Sequence, residues 1–465
     1  MNGPDQGPFV RPGSSSCENG AMLGRYSVRR RLPRALHGRD FALFVLVVLA
    51  MNLASQMIAV AIGWQVYNVR HRAFDLGLIG LLEFAPLFLL ALPAGALADR
   101  VSRRLVLACS CALMIAVAAA LIVVSQDGAH TLWPFLVLAV ATGVATALSF
   151  PATRALAPAL VDRELLPSAL ALRSVSNQIG MVAGPALGGL LFAIAPEAAY
   201  GAALALFAIS AAAVLAIKLR PNAQRPAEQT ARMRALSGGI RFIRDTPILL
   251  GAILLDLFAV LFGGAVALLP VFAQTILHTG PAGLGLLRSA PAVGAVVAGA
   301  MLVRGPLRTP AGPTLIAVVS IFGASIIVFG LSRWIWLSLA ALAISGAADM
   351  ISVNIRTTTA TMVTPDYVRG RVGAVEAVFV GASNQLGAFE SGTAAALLGA
   401  VPAVVAGGAV TIAIALCWTR LFPKLATLRR MADLRPAEQL RTGGTAGLET
   451  PAAEDERSGA AVTRA

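Results

Sequence analysis

Apolar runs long enough to cross a bilayer recur along the chain, each bounded by charges or turn residues. They predict twelve helices, at 41–67, 75–98, 105–126, 131–153, 168–195, 199–218, 247–276, 281–303, 313–331, 334–358, 371–399 and 401–421. The third run is the cleanest, with no charged residue between Arg104 and Asp127. A polar link through Arg154, Asp162, Arg163 and Glu164 joins the fourth and fifth. The seventh and tenth carry acidic residues inside.

The longest internal polar stretch, 219–246, divides these runs six and six. The predicted organisation is a disordered basic tail (1–40), a six-helix bundle (41–218), a cytoplasmic linker (219–246), a second bundle (247–421) and a disordered tail (422–465). Within the linker, Arg232, Arg234, Arg241 and Arg244 alternate with Met233, Leu236, Ile240, Phe242 and Ile243. That pattern predicts a basic helix lying on the membrane surface. Asp245, Thr246 and Pro247 read as the cap and first turn of the seventh helix.

Composition agrees with the pattern. Apolar residues are 57% of 465 and charged residues 13%, with a mean hydropathy of +0.77. A soluble domain carries about 25% charge, so lipid must solvate much of this chain. The net charge of +14 would suit nucleic acid, but its distribution gives another reading. With an even number of crossings, 33 of the 37 Lys and Arg fall on the side of the two termini. Arg70, Arg72 and Arg333 fall on the other, and Arg288 lies within the eighth run. The positive-inside rule then puts both termini in the cytoplasm and leaves no call for nucleic acid.

Several chemistries lose support. Cys109 and Cys111 point to opposite sides of one helix, while Cys17 and Cys417 stand apart, so no disulfide or zinc spacing is present. The only lysines, Lys218 and Lys424, follow no glycine-rich loop, which argues against ATP hydrolysis. His37, His71, His130 and His278 lie in tails or loops, so no metal site is expected. No cleavable leader is evident, and Met22 is an alternative start.

The link after the second run reads Gly95-Ala-Leu-Ala-Asp99-Arg100-Val-Ser102-Arg103-Arg104. It resembles the inner-loop signature of the major facilitator superfamily, in which a glycine usually stands where Ser102 does. The resemblance implies that Asp99, Arg100, Arg103 and Arg104 gate by pairing with the neighbouring half; a plain topogenic charge cluster is the other reading. The fifth run holds Gly180, Gly184, Pro185, Gly188 and Gly189. Glycines at 180, 184 and 188 share a face and permit close helix approach. This run resembles the pattern of drug and metabolite antiporters in that superfamily and implies export, although close packing alone also explains it.

A third likeness covers residues 349–423: Asp349 to Arg356, Thr364-Pro365-Asp366, Arg369-Gly370-Arg371-Val372, Gly381 to Gly387, Phe389-Glu390-Ser391-Gly392 and Leu421-Phe422-Pro423. With Trp64-Gln65-Val66-Tyr67 it resembles the enterobactin (siderophore) exporter branch over roughly residues 40–425. The resemblance implies an all-α major facilitator fold, twelve transmembrane helices in two six-helix bundles, and a monomer of a bacterial inner membrane. It implies export of a small molecule by exchange with protons, with no other cofactor. Uptake by the same fold and a non-transporting sensor are the alternatives. One departure bears on coupling: where many drug–proton antiporters carry an arginine four residues before a glycine in the fourth helix, Ala139 precedes Gly143.

Charge at mid-bilayer costs about 2.5–3.5 kcal/mol on insertion scales, so charged residues there should face protein or water. The candidates are Glu83, Asp256, Arg288, Asp349, Glu376 and Glu390. Glu376, Ser383 and Glu390 are spaced by seven and share one face with Asn384 nearby, drifting only about 20° per step. Asn52, Ser55, Gln56 and Gly63 form a polar face on the first helix, and Arg173 and Asn177 align with Gly180 on the fifth. These faces read as a cavity wall in which acids exchange protons and Arg288 holds an anionic or catecholate ligand. They read equally as internal ion pairs, such as Asp256 with Arg288.

Overall fold

The computed structural model describes residues 38–100, 102–218, 238–305 and 310–428; within the second helix, the side chains of 91–100 are not described. Residues 1–37 and 429–465 of the predicted tails, most of the linker with Arg232 and Arg234, and Cys17 and Met22 lie outside the described residues. The start of the second tail is ordered and not disordered as predicted, since Pro423–Ala426 is helical and Leu425 is buried in the second set.

Twelve long helices follow in order among the described residues. They are α1 (Arg39–Arg70), α2 (Ala73–Arg100), α3 (Arg103–Gln126), α4 (Trp133–Leu160), α5 (Leu166–Ile194) and α6 (Pro196–Ala216), then α7 (Pro247–Gly263), α8 (Gly280–Arg304), α9 (Ala311–Leu331), α10 (Ile335–Val363), α11 (Asp366–Leu398) and α12 (Ala400–Leu421). Eleven of these segments are long and apolar enough to cross a membrane, α7 being counted on to Ile276. The exception is α11, whose 33 residues include Arg369, Arg371, Glu376 and Glu390.

Ser102 earns its place: its hydroxyl accepts from the Leu105 N–H and caps α3, a role a glycine side chain cannot fill. Turns at the end of the bundle away from the termini are short. A single residue, Gly399, joins α11 to α12 at φ +90°, where a side chain would be strained.

Three local expectations are corrected. Arg154 is not in a link: α4 runs on to Leu160 through Pro151 and Pro158, so Arg154 lies in its last two turns, stacked 4.3 Å over the Phe150 ring. The seventh run is not one helix: it breaks at Gly264, continues through a 3-10 turn (Ala265–Leu268) and one helical turn (Leu269–Val271), and ends in a π turn (Phe272–Ile276). The Gly263-Gly264 pair and the missing N–H of Pro270 weaken the regular ladder there. Pro247 opens α7 as predicted, but the Thr246 side chain makes no capping bond. Before it, residues 238–245 are helical, with Ile243 buried against Leu249, Ala360 and Val372 and with Arg241 and Arg244 exposed.

Helices α1–α6 pack largely on one another, as do α7–α12, and the principal seams between the two sets are α5 on α8 and α2 on α11. The cores divide unevenly. Away from the termini, one continuous apolar cluster crosses between the sets, joining Tyr67, Phe135 and Tyr200 to Phe272, Leu284 and Phe329. Near the termini each set keeps its own: Phe44, Leu107 and Leu156 in the first, and Leu255, Leu315 and Trp418 in the second. The bundle is therefore sealed at the end away from the termini and divided at the other.

Candidate functional site

A cavity of about 540 Å³ lies between the two sets, lined by α1, α2, α5, α8, α10, α11 and the broken end of α7. Its size suits a drug-sized molecule. Most of the wall is apolar, for example Ile79, Met181, Val260 and Met350. Its charged residues are Glu83, Arg288 and Asp349, and its amides are Gln56, Gln178, Asn384 and Gln385. Five of these seven are sequence candidates brought together from five helices. Gln178 and Gln385 were not among them; each sits one position from a candidate, Asn177 or Asn384, and one step is about 100° of rotation on a helix.

The amides and Arg288 also tie the two sets together. Gln178 donates to the Ala292 carbonyl at 3.2 Å, α5 to α8, and an Arg288 guanidinium N–H reaches the Ala59 carbonyl at 3.5 Å, α8 to α1. Toward the sealed end, Gln274 donates to the Trp64 carbonyl at 3.1 Å. Glu83 and Arg288 attract one another within the cavity without a direct ion pair.

The other candidates lie elsewhere. Asp256 pairs with Arg356 at 2.5 Å and not with Arg288, which corrects the predicted ion pair. Glu376 stands beside that pair in a crevice with room for about one water, outside the main cavity. Asp349 bridges the two places, since it lines the cavity and a narrow gap beside Asp256. The Glu376–Ser383–Glu390 face, read as cavity wall, turns instead toward α7. Ser383 is fully buried, Gly387 meets the Val260 and Leu261 carbonyls, and Glu390 accepts from Ser391, whose hydroxyl also lies 3.1 Å from the Gly264 carbonyl. Gln385 and Ala388, two positions from Ser383 and Glu390 respectively, stand on the other side of α11 and line the cavity.

Asn52 does not reach the cavity: its amide donates to the Val48 carbonyl and its Cβ packs on Gly180. Asn177 is exposed and Arg173 half-buried, and neither lines the cavity.

The glycine run of α5 serves two neighbours. A Cβ at Gly180 would meet Asn52, at Gly184 Gln56, and at Gly188 Met57, all on α1. Gly189 faces the other way, with Gly285 and the Pro281 carbonyl of α8 against it, and the Pro185 carbonyl abuts Gly285 in return. The side chains of Asp99 and Arg100 lie outside the described residues. Arg103 donates to the Ala155 carbonyl at 3.1 Å and Arg104 to the Leu215 carbonyl, near the ends of α4 and α6. Both bonds stay within the first set, where these arginines neutralise helix C-termini.

Residues 35–442 match the family model described as "Transmembrane secretion effector". The chain belongs to this family. It is a multi-pass membrane transporter of the major facilitator superfamily. It is similar to the enterobactin exporter EntS of Citrobacter koseri, 29% identical over 68% of this chain and 76% of that one. It is 27% identical to the EntS of Shigella dysenteriae serotype 1, over 76% of this chain and 84% of that one. Among solved structures, the nucleoside transporter NupG superposes with a TM-score of 0.65 at 14% identity, covering 82% of this chain and all of that one. That likeness shows the fold.

Proposed function

We propose that the protein exports a small amphipathic molecule, a siderophore or similar metabolite or drug, by alternating access in exchange for protons. It acts as a monomer in a bacterial inner membrane, with both termini in the cytoplasm. The observation that carries this reading is the cavity between the two helix sets, walled by both and sealed on one side only. Its sealed side is held by glycine seams that open if the sets rock apart, as in transporters built from repeated bundles. Export is supported by the names of the similar proteins and by the glycine–proline run, which lies on both α1 and α8.

Coupling falls to an intramembrane acid, because no arginine stands in α4 before Gly143. The test has two parts. A deletion strain under iron limitation is expected to secrete less siderophore, and everted vesicles carrying the protein to accumulate the compound when a pH gradient is imposed. Conversion of Glu83, Asp256, Asp349, Glu376 or Glu390 to its amide, one at a time, is expected to abolish the gradient dependence at one or more positions. Unchanged gradient-driven transport in all five removes the assignment of coupling to these acids, and wild-type accumulation that ignores the pH gradient removes proton coupling. Accumulation by intact cells in place of secretion makes the protein an importer.

A further inference from the structure

We propose that the central cavity selects cationic amphipaths, molecules pairing an ammonium or guanidinium group with an apolar body, over anionic ones. This deepens the export reading, since it takes the cavity as the cargo site.

Among the residues lining the cavity, Glu83 on α2 and Asp349 on α10 face a single cation, Arg288 on α8. The wall thus carries one carboxylate in excess. Arg288 is already engaged, by the attraction of Glu83 and by the Ala59 carbonyl at 3.5 Å. An anion entering here competes with Glu83 for Arg288 and meets Asp349 in the same enclosure. A cation meets Asp349, the carboxylate that Arg288 does not balance.

The surroundings of Asp349 do not cancel its charge. The nearest arginine behind it is Arg356, which Asp256 holds at 2.5 Å. That pair is neutral as a unit and leaves Asp349 without an ion-pair partner among the described residues. Asp349 lines the cavity, so a cargo cation can reach it. A carboxylate partly withdrawn from water, as Asp349 is, gains more from a donor cation than a fully exposed one does.

The neutral groups add to the same preference. The amide nitrogens of Gln178 and Asn384 each donate to a main-chain carbonyl, Ala292 at 3.2 Å and Val380 at 2.8 Å. Their amide oxygens remain as acceptors. With two carboxylates offering several lone pairs each, the wall has more acceptor than donor capacity, which suits a cargo rich in N–H. Apolar surface from Ile79, Met181, Val260 and Met350 receives the rest of the molecule, and flexible methionines adapt to different shapes.

The test needs no knowledge of the natural cargo. Two fluorescent probes share one aromatic body and chain length and differ in end charge: dansylcadaverine, an ammonium, and dansyl-aminohexanoate, a carboxylate. Binding of each to the purified full-length protein in detergent is followed by dansyl emission. The ammonium probe is expected to bind about tenfold tighter or more, the worth of one charge-assisted contact. Asp349→Asn is expected to erase most of that preference and Asp349→Glu to keep it. If Asp349→Asn does not purify, Glu83→Gln supplies the same comparison. Equal or tighter binding of the carboxylate probe, binding of neither, or an Asp349→Asn variant with the wild-type preference overturns the proposal. The failure of export is separable: a protein that prefers the ammonium probe but moves nothing in proteoliposomes loses the transport reading and keeps this one.

Discussion

The guanidinium of Arg356 on α10 lies 2.5 Å from the carboxylate of Asp256 on α7, and the two residues are only 7% and 9% exposed. The pair staples two helices of the second set where the regular part of α7 packs. Removing one partner strands the other as a buried charge, which costs about 3–5 kcal/mol, whereas replacing both by apolar residues costs far less. Asp256→Leu and Arg356→Met are each expected to lower the unfolding temperature in detergent strongly, and the double variant to recover most of the loss. Single variants that melt with the wild type would show that the pair contributes nothing.

A second polar knot holds the first set at its sealed end. The Tyr200 hydroxyl donates to Gln65 Oε1 at 2.7 Å, and Gln65 Nε2 donates to Ser125 Oγ at 2.8 Å, so α6, α1 and α3 meet at one buried amide. Tyr200→Phe leaves a buried amide oxygen without its donor, a loss of about 1–3 kcal/mol. The expected readout is a lower unfolding temperature with cavity binding of a probe unchanged. A neutral outcome would mean that water replaces the hydroxyl.

Arg103 offers a way to separate two roles for the basic residues after α2. Its bond to the Ala155 carbonyl ties α3 to α4 within one set. Arg103→Ala is therefore expected to reduce stability by about 1.5–3 kcal/mol, the range for a hydrogen bond to a charged group, without changing which side of the cavity admits a thiol reagent. A shift in sidedness with no loss of stability would restore the latch implied by the family signature.

Eleven membrane-spanning segments were legible because length and apolarity define a crossing; α11 forms a helix where one was expected, but its charges keep it from meeting that measure. The cavity was half legible. Charge within apolar runs picked out Glu83, Arg288 and Asp349, and helical periodicity the faces bearing Gln56 and Asn384, but neither tells which face of a helix meets water and which meets a neighbour. Hence Glu390 and Glu376 were read onto the cavity when their stripe turns toward α7, and Gln178 was passed over for Asn177. The Asp256–Arg356 pair links residues one hundred positions apart on two helices, and no local spacing encodes that contact. The break at Gly264 was signalled by Gly263-Gly264 and Pro270, yet an apolar window reads straight through it.

The seal itself is open to test at Gly189. A Cβ there would fall 2.5 Å from the Pro281 carbonyl oxygen and 2.9 Å from the Gly285 Cα, both backbone atoms that cannot move aside as a side chain can. Any larger residue must therefore part α5 from α8 at the end away from the termini. Because the same cavity then opens toward that end, Gly189→Leu is expected to shift the population toward the opposite access state. The readout is labelling of a single cysteine placed at cavity residue Ala295, in a chain whose own cysteines are replaced, by an impermeant maleimide applied from that end. Labelling is expected to rise severalfold. Gly201→Leu is the control, because a Cβ at Gly201 meets nothing within 4 Å, and it should leave labelling at the wild-type level. Gly189→Leu with wild-type labelling would mean that the α5–α8 glycine contact does not hold the seal, and the closure would then rest on the shared apolar core around Phe272 and Phe329.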